Sequence, residues 1–221
     1  MSKEFVFTNA KVVTRTAVIE GSVCVDNGLI VSVDEGASAV GSAEDFAGDY
    51  LLPGLIEIHA DTVEKHFAPR ATVIWPAPLA AFASHDNQIA GSGITTVLNA
   101  LGVGDYKGRD ARRHALHATF SILKKFRQSA LMRADHFIHL RCEISDPDVL
   151  DILTPYFDED IVRLISVTDH TPGERQWRDL NVFRKYNASF DWTQNDEVFD
   201  AFVTERQNIQ RQHAPKNTAA I

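Results

Sequence analysis

Apolar and polar positions are most informative at 51–61, L-L-P-G-L-I-E-I-H-A-D. Pro53-Gly54 signals a turn, and an apolar run of strand length follows it. Side chains alternate faces along a strand. Ile56 and Ile58 therefore share one face, and Glu57, His59 and Asp61 share the other. The apolar face is expected to pack on helices. The polar face is expected to look into a pocket at the strand's C-terminal end, as in a barrel strand. Imidazole and carboxylate two residues apart can hold one divalent cation. Taken alone, H-x-D is short and common, and a strand-to-loop turn is the simpler explanation.

Before this stretch, alternation at 4–13, 18–25 and 29–33 predicts a small sheet, with Asp26-Asn27-Gly28 as a hairpin turn. A Gly/Ala/Ser-rich connector follows at 36–43. After it, 62–78 is polar and Pro-interrupted, and is expected to be a long rim loop carrying Glu64, Lys65, His66 and Arg70. Each of these charges, taken singly, is most simply a solvated loop charge. Ser84 is expected to cap a short helix carrying His85, Asp86 and Gln88. A second buried strand is expected at 94–101, then a Gly-punctuated loop with Gly102, Gly104 and Gly108. A long helix at 109–132 has Leu116, Phe120, Leu123 and Phe126 as its core face, with His114 and His117 as surface or packing residues.

The third strand, 136–144, places His139, Arg141 and Glu143 on one face and Leu140, Cys142 and Ile144 on the other. Three polar side chains in a row are costly to bury unless they meet a metal, a substrate or each other. A helix at 147–157 leads to a fourth strand at 161–170. There parity aims His170 at the pocket and Asp169 away from it. Thr171-Pro172-Gly173 breaks that strand, and a final helix is expected from 196 to about 213. Strands alternating with helices favour a parallel sheet. The polar residues gather at the C-terminal strand ends, where a (β/α) barrel keeps its active site.

Composition narrows the partners. The chain has 221 residues, 44% of them hydrophobic, enough for a sizeable core. Its net charge of −8 argues against nucleic acid or an anionic membrane as the main partner. Cys24 and Cys142 lie in different candidate strands, so no disulfide is expected and a reducing, cytoplasmic compartment fits. The start, M-S-K-E-F, has no apolar core behind a basic segment, so no signal peptide is expected.

Taken together, V-D-N-G-L-I-V-S-V, L-L-P-G-L-I-E-I-H-A-D, E-K-H-F-A-P-R, W-P, S-H-D, G-I-T-T-V-L-N-A-L-G-V-G-D, H-L-R-C-E and D-H-T-P-G-E-R-Q resemble the amidohydrolase superfamily. The resemblance narrows to its phosphonate-catabolism branch in the carbon–phosphorus lyase pathway, where H-x-D replaces the usual H-x-H. It implies an α/β fold: a partial (β/α) TIM-like barrel over 51–221, preceded by a small β-sandwich segment over 1–50. It implies His59, Asp61, Glu143 and His170 as metal ligands, Glu143 standing where many relatives have a carboxylated Lys. The cofactor would be one or two divalent ions, zinc or manganese. Lys65, Arg70, Arg141 and Arg175 would bind the substrate, a phosphorylated ribose phosphonate whose 5-triphosphate is cut to the 5-phosphate and pyrophosphate.

The family also has a further His and a late catalytic Asp, which would lie past residue 221. The chain is therefore expected to be the front part of such an enzyme, with weak turnover alone, completed by a missing C-terminal half or by homo-oligomerisation. Two other readings stay open. One is a hydrolase of a cyclic amide C–N bond. The other is a non-catalytic fragment that binds metal or a partner through its open edge.

Overall fold

The computed structural model describes residues 4–70, 73–105, 110–127 and 129–221, with only the backbone of Asp110 and Ala111. The expected loop glycine Gly108 and helix start at Arg109 lie outside the described residues. The chain divides into two compact units, Met1–Gly54 and Leu55–Ile221.

The first unit is a sheet of β1 (Glu4–Val13), β2 (Val18–Asp26), β3 (Leu29–Glu35), β4 (Glu44–Asp45) and β5 (Tyr50–Leu51). β1, β2 and β3 pair antiparallel in chain order, while β4 and β5 pair parallel with β1. Asn27 and Gly28 take φ of 49° and 82°. A tight hairpin turn that matches strand twist needs such values, and Asn and Gly tolerate them. Ala10, Val12 and Val23 form the buried centre, with Phe7, Ile19, Val25, Phe46 and Leu51 around them. At Gly21 a Cβ would stand 2.2 Å from the Asp34 carbonyl oxygen, so the strands meet there only because the side chain is a hydrogen.

The second unit contains β6 (Leu55–Ala60), α1 (Thr62–Phe67), α2 (Pro78–Gly91), β7 (Ile94–Val103), α3 (Asp110–Phe126), β8 (Asp135–Glu143), α4 (Val149–Leu153), β9 (Val162–Thr168), α5 (Leu180–Tyr186) and α6 (Asp196–Ala220). The four strands are all parallel and lie in chain order, β6-β7-β8-β9. Each crossover therefore steps the same way across the sheet, the winding of a (β/α) barrel and not that of a doubly wound sheet with a switch point. The fold class is α/β.

Alternation decides which face each strand residue takes. Leu101 and Val103 of β7 and Ile138, Leu140 and Cys142 of β8 are buried with Val63, Phe67, Phe82, Leu116, Leu123, Val149 and Leu153 from the helices. The residues between them on β8, His139, Arg141 and Glu143, take the opposite face. A separate aromatic cluster of Trp177, Phe183 and Phe199, with Trp192 and Phe202 beside it, anchors the start of α6.

Four local expectations are corrected. The stretch 62–78 contains α1, because Val63 and Phe67, one turn apart, are both fully buried. Ser84 is not a cap; it sits inside α2, which starts at Pro78, and its hydroxyl donates to the Ala80 carbonyl at 3.1 Å. On β6 the apolar face is not covered: Ile56 and Ile58 are 69% and 59% exposed. Among the described residues this strand pairs with β7 alone, and the helices reach its C-terminal end at Ala60 but not its start. Finally, α6 continues past His213 and through Pro215, held by buried Ala214 and Asn217. No helix among the described residues is long and apolar enough to cross a membrane.

Candidate active site at the C-terminal strand ends

β8 lies between β7 and β9, and its polar face meets side chains from both flanking directions. The His139 Nδ1–H donates to the Ile58 carbonyl at 3.2 Å, and Nε2 accepts from the Ser166 hydroxyl at 2.7 Å. Its ring lies edge-on to His59, with centroids 4.9 Å apart. Burial lowers the His139 pKa, with the neighbouring His59 acting in the same direction, so this imidazole is neutral near pH 7. Arg141, in register with Gly102 of β7, pairs through its Nη1 with Asp61 Oδ1 at 2.5 Å. His59 stands 3.5 Å from the same Asp61 oxygen. The Arg141 Nε is buried and has no hydrogen-bond partner among the described residues.

Glu143, 2% exposed, is held by three donors. The Ser145 hydroxyl donates at 2.6 Å, the His170 backbone N–H at 3.1 Å and the His170 Nδ1–H at 2.5 Å. Asp169 turns the other way: its carboxylate accepts from the Thr171 N–H and from Gln210 Nε2 on α6. The alternation of β9 therefore persists past its end at Thr168 to His170.

The four expected metal ligands fall into two pairs in this structure, His59 with Asp61 and Glu143 with His170. Their imidazole and carboxylate chemistry suits a divalent cation. Among the described residues, however, no group of three or more His, Cys, Asp or Glu is gathered so as to hold one. Of the four expected substrate cations, only Arg141 stands among these groups. Lys65 on α1, Arg70 beyond it and Arg175 after β9 are exposed, each on a segment that follows a C-terminal strand end.

No protein-family model matches the chain. Over 181 residues, 82% of its length, it is 38% identical to the alpha-D-ribose 1-methylphosphonate 5-triphosphate diphosphatase of Escherichia coli (strain K12). The chain is a relative of that diphosphatase. It spans about half of the diphosphatase's length, 48%. Among solved structures it is similar to a D-hydantoinase, with 20% identity and a TM-score of 0.49 over 74% of this chain and 32% of that one. The L-hydantoinase of Arthrobacter aurescens gives 13% identity and 0.49, over 95% and 51%. An N-acetyl-D-glucosamine-6-phosphate deacetylase from Mycobacterium smegmatis gives 17% and 0.48, over 77% and 45%.

Several supporting residues of this diphosphatase relative escaped the sequence reading. Glu64, expected as a solvated charge, accepts the Gly102 backbone N–H at 2.9 Å and stands 3.5 Å from Arg112. Asn217 on α6 donates to the carbonyls of Ile144 and Asp146, both at 2.9 Å, and so ties down the loop after Glu143. Neither role has a local signal, because each partner is tens of residues away. Asn99 and His136 do leave one: a polar residue on the helix-facing side of an otherwise apolar strand needs a buried partner. His117, as expected, has a packing role, with its Nδ1 against the Tyr156 hydroxyl.

Proposed function

We propose that the chain contributes part of a phosphoanhydride hydrolase site that acts on α-D-ribose 1-methylphosphonate 5-triphosphate. Water adds to the phosphorus nearest the ribose, the P–O–P bond breaks, and pyrophosphate leaves with the bonding pair. The 5-phosphate remains on the sugar. The observation that supports this most directly is Arg141. It is largely buried, it faces the strand-end groups, and its Nε has no partner among the described residues. A guanidinium offers phosphate a fork of donors that no other side chain supplies. Lys65 on α1, with Arg70 and Arg175, extends the positive charge along the segments after the strand ends to neutralise the outer phosphates. His139, held neutral and aimed by two hydrogen bonds, packs against His59 and sets its ring plane.

The same reading assigns a zinc or manganese ion to His59, Asp61, Glu143 and His170, where it would lower the pKa of a bound water. The two pairs would have to converge for that. Equilibrium dialysis followed by elemental analysis tests the assignment: Glu143→Gln should lower metal content sharply, and unchanged content removes Glu143 from the ligand set.

The functional test is release of pyrophosphate from the 5-triphosphate by the purified chain, with and without added zinc or manganese. Arg141→Met should weaken substrate binding while leaving the chain folded. Turnover of a cyclic amide such as a hydantoin, with none of the triphosphate, would overturn the reading.

A further inference from the structure

A chain of buried polar groups lies on the helix side of the sheet, away from the groups described above. His85 and Asp86 of α2, Asn99 of β7 and His136 of β8 are 0%, 2%, 0% and 3% exposed. One bond decides the orientation of all of them. The Asn99 Nδ2 donates to the Phe137 carbonyl at 2.8 Å, which fixes the amide, so its Oδ1 faces His85 Nε2 at 2.6 Å. That nitrogen must carry the proton. A neutral His85 then has a bare Nδ1, which accepts from the Thr62 hydroxyl at 3.3 Å.

In the other direction, the second Asn99 amide hydrogen points at His136 Nδ1, at 3.2 Å. The His136 proton is thus on Nε2 and is donated to Asp86 Oδ1 at 3.0 Å. Asp86 also accepts the backbone N–H groups of Arg133 and Ala134. Every link from Thr62 to Asp86 donates the same way, and flipping Asn99 would break both its carbonyl bond and its bond to His85. Phe82 seals the chain, its ring centroid 5.7 Å from that of His85 and 4.8 Å from that of His136. Burial keeps both imidazoles neutral.

The free end of this chain is Thr62, the residue after Asp61 and the first residue of α1. Ala60, on the other side of Asp61, packs on Ile89, Val97 and Ala134 of the same layer. Both neighbours of Asp61 are therefore anchored behind the sheet, and the carboxylate projects forward to Arg141 and His59. We propose that His85 is a positioning residue for Asp61, acting through Thr62 at the end of a one-directional relay that Asn99, His136 and Asp86 hold in place. This rests on the reading of Asp61 and Arg141 as part of the hydrolase site.

The test uses the full chain and two substitutions of Thr62. Thr62→Val keeps the shape and removes the hydroxyl, whereas Thr62→Ser restores it. Nitrogen-15 NMR should show His85 protonated on Nε2. The His59 ring and Arg141 Nε–H resonances should shift in Thr62→Val and return in Thr62→Ser. Pyrophosphate release should lose about tenfold in kcat in Thr62→Val, with KM changed less than about twofold, and recover with Ser. His85 protonated on Nδ1, or site resonances and kcat indifferent to Thr62→Val, would overturn the proposal. Absence of turnover by the wild-type chain would count against the hydrolase reading alone, since the NMR comparison decides the positioning without it.

Discussion

Lowering the pH from 7 to 5 should destabilise this protein through His85 by an amount that can be worked out. Desolvation pushes the His85 pKa down to about 4, from 6.5 for a free imidazole, against a smaller upward pull from the Asn99 hydrogen bond. His66 and His136 lie close enough to oppose a proton there, and Asp86 favours one. Between these two values the unfolded chain binds a proton that the folded chain refuses. Stability therefore rises with pH in that window, is fully present above about 6.5, and is lost as pH falls toward 4. The whole difference is worth about 3 kcal/mol, of which about 2 kcal/mol is already lost at pH 5. His136 is lowered by the same cause and adds in the same direction. Urea unfolding at pH 7 and pH 5 measures the loss. His85→Gln, which cannot titrate, should lose about 2 kcal/mol less than wild type across that interval. The His85 ring protons, followed by NMR, should not titrate until pH approaches 4. Equal losses in the two proteins, together with a His85 midpoint near 6.5, would refute the argument.

Other outcomes follow from particular contacts. Burial pushes the Cys142 thiol up to about 12, so a thiol reagent should label Cys24 in the native protein and reach Cys142 only on unfolding. Gly21→Ala sets a methyl group against the Asp34 carbonyl and should destabilise the first unit by about 1–3 kcal/mol, read from its thermal transition. Asn217→Ala takes the side-chain donor from the buried Ile144 carbonyl and one of two donors from the Asp146 carbonyl, which keeps the Val149 N–H; about 1–3 kcal/mol should be lost, with faster amide exchange at 144–149.

The polar face of β8 was legible in the sequence because a strand's period of two is strict and Leu140, Cys142 and Ile144 mark the opposite side. The same rule separated His170 from Asp169. Parallel pairing followed from strand–helix alternation, whereas the singly wound order did not, because a doubly wound sheet alternates in the same way. What was not legible depends on distant partners. The α1 turn was hidden by its charged residues, although Val63 and Phe67 at helical spacing carried the signal. The continuation of α6 was hidden by Pro215, which costs a backbone bond that burial of Asn217 and packing of Ile221 offset. Burial of the first β6 residues was wrongly expected, because alternation says which face a side chain takes but not whether anything lies against it. The relay from Thr62 to Asp86 could be suspected from Asn99 and His136 alone, but its direction needed the Phe137 carbonyl.

The order β6-β7-β8-β9 bears on how the polypeptide is assembled. Each strand finds its neighbour in the one synthesised just before it, so pairing needs only the closure of a single strand-to-strand crossover at each step. During translation the sheet can therefore grow by accretion as residues leave the ribosome. Until the next strand arrives, the newest one exposes an unpaired backbone ladder. The interval between strands, set by crossover length and translation speed, is when the nascent chain is most open to sticking to its neighbours.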